Sequence, residues 1–223
     1  MFELIHADCI KVLRNMPDKS VDCIITDPPY GVGIDYGDTY EDTRDNLDLL
    51  VREALPEMRR VARRVALTCG TRNIQLYPQP TWVLAWLYFG NNCSPWGFNC
   101  WQPILVYGAD PDLRLRMRRT DTIRCYDRAR TPPEPNSHPC PKSLNFMRKL
   151  ANRVAPSPAD TILDPFMGSG TTGVVAIQLG HKFIGIEING DYMGVAKRRI
   201  AQASPDFQLN LALTAKDITH EHA

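Results

Sequence analysis

Apolar positions along the chain follow two rhythms. Short, mostly apolar runs at 2–5, 21–26, 65–68, 101–107, 161–163 and 182–187 predict strands, and a run apolar on both sides of the pleat suits a strand covered on both faces. Helical spacing appears between them. Residues 47, 50, 51, 54, 55, 58 and 61 place one apolar stripe on a helix over 47–61. Further helices are predicted at 9–15, from an N-cap at Ser143 to about Val154, at 171–179 and at 192–203. Residues 31–48 carry six acids, one arginine and three glycines, the composition of a mobile loop. Five prolines in the eleven residues from Thr131 to Pro141 exclude a helix there. Strands alternating with helices predict an α/β fold with a doubly wound, mostly parallel sheet.

Composition narrows this picture. The 223 residues fit one domain spanning 1–223, and 43% apolar with 23% charged residues is enough for a packed core. No apolar run approaches the roughly 18 residues that span a bilayer, and the first residues lack the basic-then-apolar form of a secretion signal. Seven scattered cysteines without a C-x-x-C pair suit a reducing cytoplasm and no metal site. The net charge of +1 conceals a basic block: residues 111–153 hold 11 Lys/Arg against 4 Asp/Glu. Seven of the cations are Arg114, Arg116, Arg118, Arg119, Arg124, Arg128 and Arg130. Such a block is either a solvated face or the place where a polyanion binds.

Two motifs carry chemistry. Asp164-Pro165-Phe166-Met167-Gly168-Ser169-Gly170-Thr171-Thr172 follows a predicted strand and opens a helix. Glycines there admit a ligand close to the backbone, and the helix N-terminus offers free N–H groups. Glu187 ends the next strand, where a carboxylate suits a ribose diol. No lysine follows the glycines, so the loop is not a P-loop. The second motif, Asp27-Pro28-Pro29-Tyr30, lies at the carboxyl end of a predicted buried strand, where open α/β sheets place ligands. The prolines hold Asp27 and Pro28 extended, so one carboxylate and one backbone carbonyl can face the same amino group. Tyr30 offers a flat face to a planar base. Taken alone, Asp-Pro-Pro reads more readily as a proline turn with a capping Asp.

Together these residues resemble the amino-methylating DNA methyltransferases that use S-adenosyl-L-methionine. The family pattern Asp/Asn/Ser-Pro-Pro-Tyr/Phe/Trp matches Asp27, Pro28, Pro29 and Tyr30, and Phe-x-Gly-x-Gly matches Phe166 to Gly170. His-Pro-x-x-Lys-Pro matches His138 to Ser143, with Ser143 in place of the usual Pro. The resemblance implies a Rossmann-like methyltransferase sheet and a cofactor site. That site is formed by Asp8, Cys9, Asp27, Lys142, Ser143, Asp164, Pro165, Phe166, Gly168, Ser169, Gly170, Thr171, Thr172, Glu187 and Ile188. The catalytic motif precedes the cofactor motif, as in the β class, which puts the target-recognition segment between them. Residues 108–137, with the arginine block, are the expected DNA-contact insert.

The implied activity is methyl transfer to the N6 amine of an adenine flipped out of double-stranded DNA, of the restriction–modification kind, in a bacterial or phage-encoded cytoplasmic enzyme. Asp27 favours adenine, and cytosine N4 is the alternative. An inactive DNA-binding relative and a methyltransferase of RNA or protein remain open, as does a homodimer. Trp82, Trp86, Trp96 and Trp101 are expected in the core or an interface, Cys93 and Cys100 as buried small hydrophobes, and His220 and His222 in a solvent-exposed tail.

Overall fold

The computed structural model describes residues 1–88, 93, 94, 96–109, 120–126, 139 and 141–204. Their centre is an eight-stranded sheet built from β1 (Phe2–His6), β2 (Val21–Thr26), β3 (Ala62–Thr68), β4 (Trp82–Leu87), β7 (Trp101–Gly108), β8 (Thr122–Arg124), β9 (Thr161–Asp164) and β10 (Lys182–Glu187). A separate hairpin joins β5 (Cys93–Ser94) to β6 (Gly97–Phe98). The helices are α1 (Cys9–Asn15), α2 (Arg44–Val61), α3 (Leu144–Val154), α4 (Thr171–Gln178) and α5 (Gly190–Ala203). Strand order is β1-β10-β9-β2-β3-β7-β4-β8, with β7 alone running against the rest. The fold is the α/β, mostly parallel, doubly wound sheet that the alternating pattern predicts.

Period-two alternation splits the core between the sheet's two faces. Ile24 joins Leu13 of α1 and the buried stripe of α2 on one face, while Cys23 and Ile25 join α3, α4 and α5 on the other. The seven apolar positions of α2 are all buried. The helix begins three residues earlier than its apolar stripe because Thr43 caps it, its Oγ1 accepting the Asn46 N–H at 3.3 Å. Asn189 likewise starts α5 at Gly190, accepting the N–H groups of Asp191 and Tyr192 at 2.9 and 3.2 Å.

Several features refine the expectations or depart from them. Residues 31–43 are organised around buried Asp42, which accepts N–H bonds from Gly31 (2.6 Å), Val32 (3.1 Å) and Ile34 (3.0 Å). Gly31 makes this turn at φ +68°, and a Cβ there would lie 3.0 Å from the Thr43 carbonyl oxygen. Within the expected insert 108–137, Thr122–Arg124 form the sheet's edge strand. Core placement holds for Trp86, which stacks on Phe146 at a centroid distance of 3.9 Å, but Trp82 is 61% and Trp96 99% exposed, and Trp101 is also exposed. Among the described residues β8 pairs only with Ala85–Leu87, so the first half of β4, with Trp82, has no described strand on that side; Trp96 sits in the hairpin turn. Cys100 is exposed, because it lies in the link between the hairpin and β7. The Cys93 side chain, His220 and His222 lie outside the described residues, as do Arg114, Arg116, Arg118, Arg119, Arg128 and Arg130. Among the described residues no helix is long and apolar enough to cross a membrane, and no group of His, Cys, Asp and Glu could hold a metal ion.

Candidate active site

The chain leaves β9 for one half of the sheet and β2 for the other, so the carboxyl ends of these adjacent strands form the crevice where open α/β sheets bind ligands. Both chemical motifs start there. Thr26 Oγ1 donates to Asp164 Oδ1 at 2.6 Å, tying two residues 138 positions apart. Asp164 is buried and also accepts the Phe166 N–H at 3.1 Å. Burial outweighs the hydrogen bonds from Thr172, Thr26 and Phe166, raising its carboxyl from 3.8 to about 6.

The glycine loop then turns into α4. Gly168 and Gly170 both adopt positive φ, and a Cβ on Gly170 would stand 2.9 Å from the Cβ of Ala196 on α5. Gly170 therefore serves close helix packing. Ser169 accepts hydrogen bonds from Arg199 Nη1 through both its carbonyl oxygen and Oγ, and Arg199 Nη2 donates to Thr171 Oγ1 at 3.4 Å. Glu187 closes the other side: Oε2 accepts the Gly168 N–H at 2.7 Å and Oε1 the Asn189 N–H at 2.8 Å. Burial raises its pKa, with these amide bonds opposing the rise.

Two cavities meet at this point. One of about 250 Å³ is walled by Asp8, Cys9, Asp27, Pro29, Pro165, Phe166, Gly168, Glu187 and Ile188. A smaller one, about 30 Å³, is bounded by Lys142, Asp164, Ser169, Thr171 and Thr172, and shares Asp27, Phe166 and Gly168 with the first. Ser143 and Gly170 line neither; Ser143 is buried as the cap of α3, its Oγ accepting the Phe146 N–H at 3.4 Å. Asp8 caps α1 through the Ile10 N–H at 2.8 Å while facing the larger cavity. Burial, then the charge of Asp8, pushes the Cys9 thiol up to about 12, so it is protonated at neutral pH.

The sequence gives no sign of the larger cavity's outer wall. Tyr36, Thr39, Tyr40 and Leu49 come from the acidic segment and the start of α2, and meet Asn189 and Tyr192 across the opening. Asn189 Nδ2 donates to the Tyr36 carbonyl at 3.2 Å and to Thr39 Oγ1 at 3.3 Å, docking the segment on the strand end that carries Glu187. The Tyr40 hydroxyl is buried and has no hydrogen-bond partner among the described residues. A composition-based reading of 31–48 as a loop contains none of this, since the docking partner lies about 150 residues away.

Asp27 sits between the cavities. Its Oδ2 pairs with Lys142 Nζ at 2.7 Å, and its Oδ1 accepts hydroxyl hydrogens from Tyr30 and Thr68. The Lys142 ammonium also stands 5.4 Å from the Tyr30 ring centroid. Pro28 is buried beneath. Burial, followed by the charge of Asp27, raises the Tyr30 phenol well above its usual range, so it is a neutral donor. Arg124, inside the described residues, ends β8 at the sheet edge; the other six arginines of the block are not placed.

Comparison with known proteins supplies the wider context. Residues 76–198, more than half of the chain, match the profile of a family described as DNA methylase. The chain is 29% identical to DNA adenine methyltransferase YhdJ of Escherichia coli K12, over 90% of this chain and 83% of that protein. It is also 29% identical to Type II methyltransferase M.HpaI of Haemophilus parainfluenzae, over 88% and 73% respectively. The fold is shared with the M1.HpyAVI–SAM complex (TM-score 0.67, 24% identity, 90% of this chain and 99% of that one). It is shared too with the cytosine-N4-specific PvuII DNA methyltransferase (TM-score 0.68, 13% identity, 89% and 86%).

Proposed function

The chain belongs to the N6/N4 DNA methylase family, and from that premise we propose that it transfers a methyl group from S-adenosylmethionine to the N6 amine of an adenine flipped out of duplex DNA. The observation that carries this reading is the placement of Asp27. Its carboxylate borders both cavities of the crevice, next to Phe166 and Gly168, so one position serves a cofactor and a base together. Asp at position 27 and the likeness to YhdJ favour adenine over cytosine N4. The order of the motifs, Asp27–Tyr30 before Phe166–Gly170, supports the β class.

The crevice fits S-adenosylmethionine. Each Glu187 oxygen spends one lone pair on a backbone amide and keeps another for a ribose hydroxyl. Tyr40 lines the same cavity, and its buried hydroxyl, without a hydrogen-bond partner among the described residues, is a further polar group for the nucleoside. The smaller cavity, between Lys142 and the start of α4, suits the amino-acid end. When bound, the cofactor supplies an electrophilic methyl group on a sulfonium. Asp27 and the Pro28 carbonyl accept the two hydrogens of the target amine, which turns the nitrogen lone pair out of the ring toward that methyl. Asp27 is also the base that takes the proton the nitrogen sheds once its new bond to carbon forms. The ring of Tyr30 holds the extruded base, and catalysis comes mainly from positioning. The arginine block contributes phosphate contacts, with Arg114, Arg116, Arg118, Arg119, Arg124, Arg128 and Arg130 as its members.

Labelled methyl transfer to duplex DNA followed by nucleoside mass spectrometry tests the reading. N6-methyladenine is the expected product; N4-methylcytosine alone would replace the base assignment, and no transfer to DNA would overturn the activity. Replacing Arg116, Arg118 and Arg119 together should flatten the salt dependence of DNA binding by up to about three phosphate contacts, each worth a slope of about 0.9.

A further inference from the structure

Asp27 and Tyr30 are held from behind by residues that belong to neither chemical motif. Thr68, the last residue of β3, donates its hydroxyl hydrogen to Asp27 Oδ1 and lies 3.1 Å from the Tyr30 hydroxyl. Gln102, the second residue of β7, donates its side-chain N–H to the same Tyr30 hydroxyl. Thr68 pairs with Ile104 across the β3–β7 ladder, so Gln102, two residues from Ile104, occupies the same face one step away. The two strands therefore present two polar side chains to one point. Asn73 secures the main chain of the motif, donating to the Tyr30 carbonyl at 2.7 Å while its own Oδ1 is held by Arg44 at 3.1 Å.

We propose that Thr68 and Gln102 are positioning residues for methyl transfer, fixing Asp27 and Tyr30 so that Asp27 Oδ2 is the oxygen turned to the target amine. The inference rests on the reading of Asp27 as acceptor of that amine. Rotation of an Asp carboxylate about its last bond is soft, so a free carboxylate would sample many orientations. Two hydroxyl donors on Oδ1 remove that freedom and occupy that oxygen, and among the described residues Lys142 is the partner of Oδ2, in the 2.7 Å ion pair. Tyr30 has a single hydrogen to give. With the Gln102 N–H filling an acceptor position of the phenol, that hydrogen is directed to Asp27, which locks ring and carboxylate as one unit. Neither residue lines either cavity of the crevice. Their effect falls on the orientation of Asp27 and Tyr30, and misplacement of about 1 Å in such a site can cost about 100-fold in rate.

The test measures single-turnover methyl transfer at saturating cofactor and DNA, with cofactor affinity by calorimetry and thermal unfolding alongside. Thr68→Val, which keeps the shape and loses the hydroxyl, and Gln102→Leu should each slow transfer about 10- to 100-fold while cofactor affinity stays within about threefold of the parent. Thr68→Ser, which restores the donor, should return the rate to within about threefold. Wild-type rates in folded Thr68→Val and Gln102→Leu would overturn the inference, as would a Thr68→Ser variant as slow as Thr68→Val. If Thr68→Val does not fold, Gln102→Leu decides the matter: a loss of about 10- to 100-fold at unchanged cofactor affinity supports the inference, and a wild-type rate in the folded variant overturns it. Asp27→Ala separates the two levels: an inactive Asp27→Ala beside fully active Thr68→Val and Gln102→Leu removes only the positioning roles. An active Asp27→Ala removes the reading beneath them.

Discussion

Glu187, the last residue of β10, and Asp27, directly after β2, are carboxylates at the same end of one sheet with β9 between those two strands, yet they are held in opposite ways. The oxygens of Glu187 rest on the backbone amides of Gly168 and Asn189. Those of Asp27 rest on the side chains of Tyr30, Thr68 and Lys142. A carboxylate held by amides depends on the path of the chain and tolerates many changes of neighbouring residue type. One held by side chains depends on each of those residues, and its geometry can be altered one atom at a time. On the proposed function, the cofactor side of the crevice is set by backbone and the reacting side by side chains, which suits a part that only binds and a part that must aim.

The largest expected effect breaks the comparison at Asp27. Asp27→Ala should reduce labelled methyl transfer at least about 1,000-fold, the scale of losing a positioned acid–base group. Cofactor affinity by calorimetry should change little; an equal loss in both would mean that the two sides are not separate. Glu187→Ala should act in reverse. It removes the proposed acceptor for the cofactor and orphans one buried and one part-buried amide, the buried one at about 1–3 kcal/mol, so cofactor binding should weaken about 10- to 100-fold and thermal stability should fall. Transfer at saturating cofactor should remain close to that of the parent protein.

Asp164, between the two, carries a pH signature. Its folded pKa of about 6 lies above its ordinary 3.8, so the fold favours the neutral acid. That contribution is complete below about pH 4 and is lost as pH rises to about 6, a difference of about 3 kcal/mol. Chemical denaturation from pH 4 to 7 should show Asp164→Asn without this decline, and parallel curves for the two proteins would refute the assignment. The smallest effect belongs to the docked segment. Thr39→Val removes one partly exposed hydrogen bond to Asn189, worth about 1 kcal/mol, so cofactor affinity should fall by less than about fivefold. Transfer rates should be unmoved.

The cofactor side was the more legible in the sequence for the reason that separates the two carboxylates. Asp164, the glycine loop and Glu187 form one continuous strand–loop–helix–strand unit, whose turns and amides are close in the chain. Asp27-Pro28-Pro29-Tyr30 was recognisable as a stiffened motif at a strand end, but not its supports. Thr68 reads as the end of an apolar strand and Gln102 as a polar residue at the start of another, with nothing local to join them. The acidic stretch 31–48 was visible as composition, while its fold around Asp42 and its docking on Asn189 were not. The exposure of Trp82 and Trp96 was not legible because an aromatic run shows neither where a strand's pairing stops nor which residue a hairpin turn carries.

Local pattern by itself determined the helices and most strands, the alternation that makes the sheet parallel and doubly wound, and the two motifs, because each of these is decided by contacts within a few residues or by one strand's exposure on two faces. Only the tertiary structure decided that β9 lies against β2, that β7 reverses beside β3, and that Thr68, Gln102 and Lys142 converge on Asp27 and Tyr30. Strand order comes from packing the whole chain around two cores. Contacts between residues 41, 72 and 115 positions apart carry no periodicity for a sequence to display.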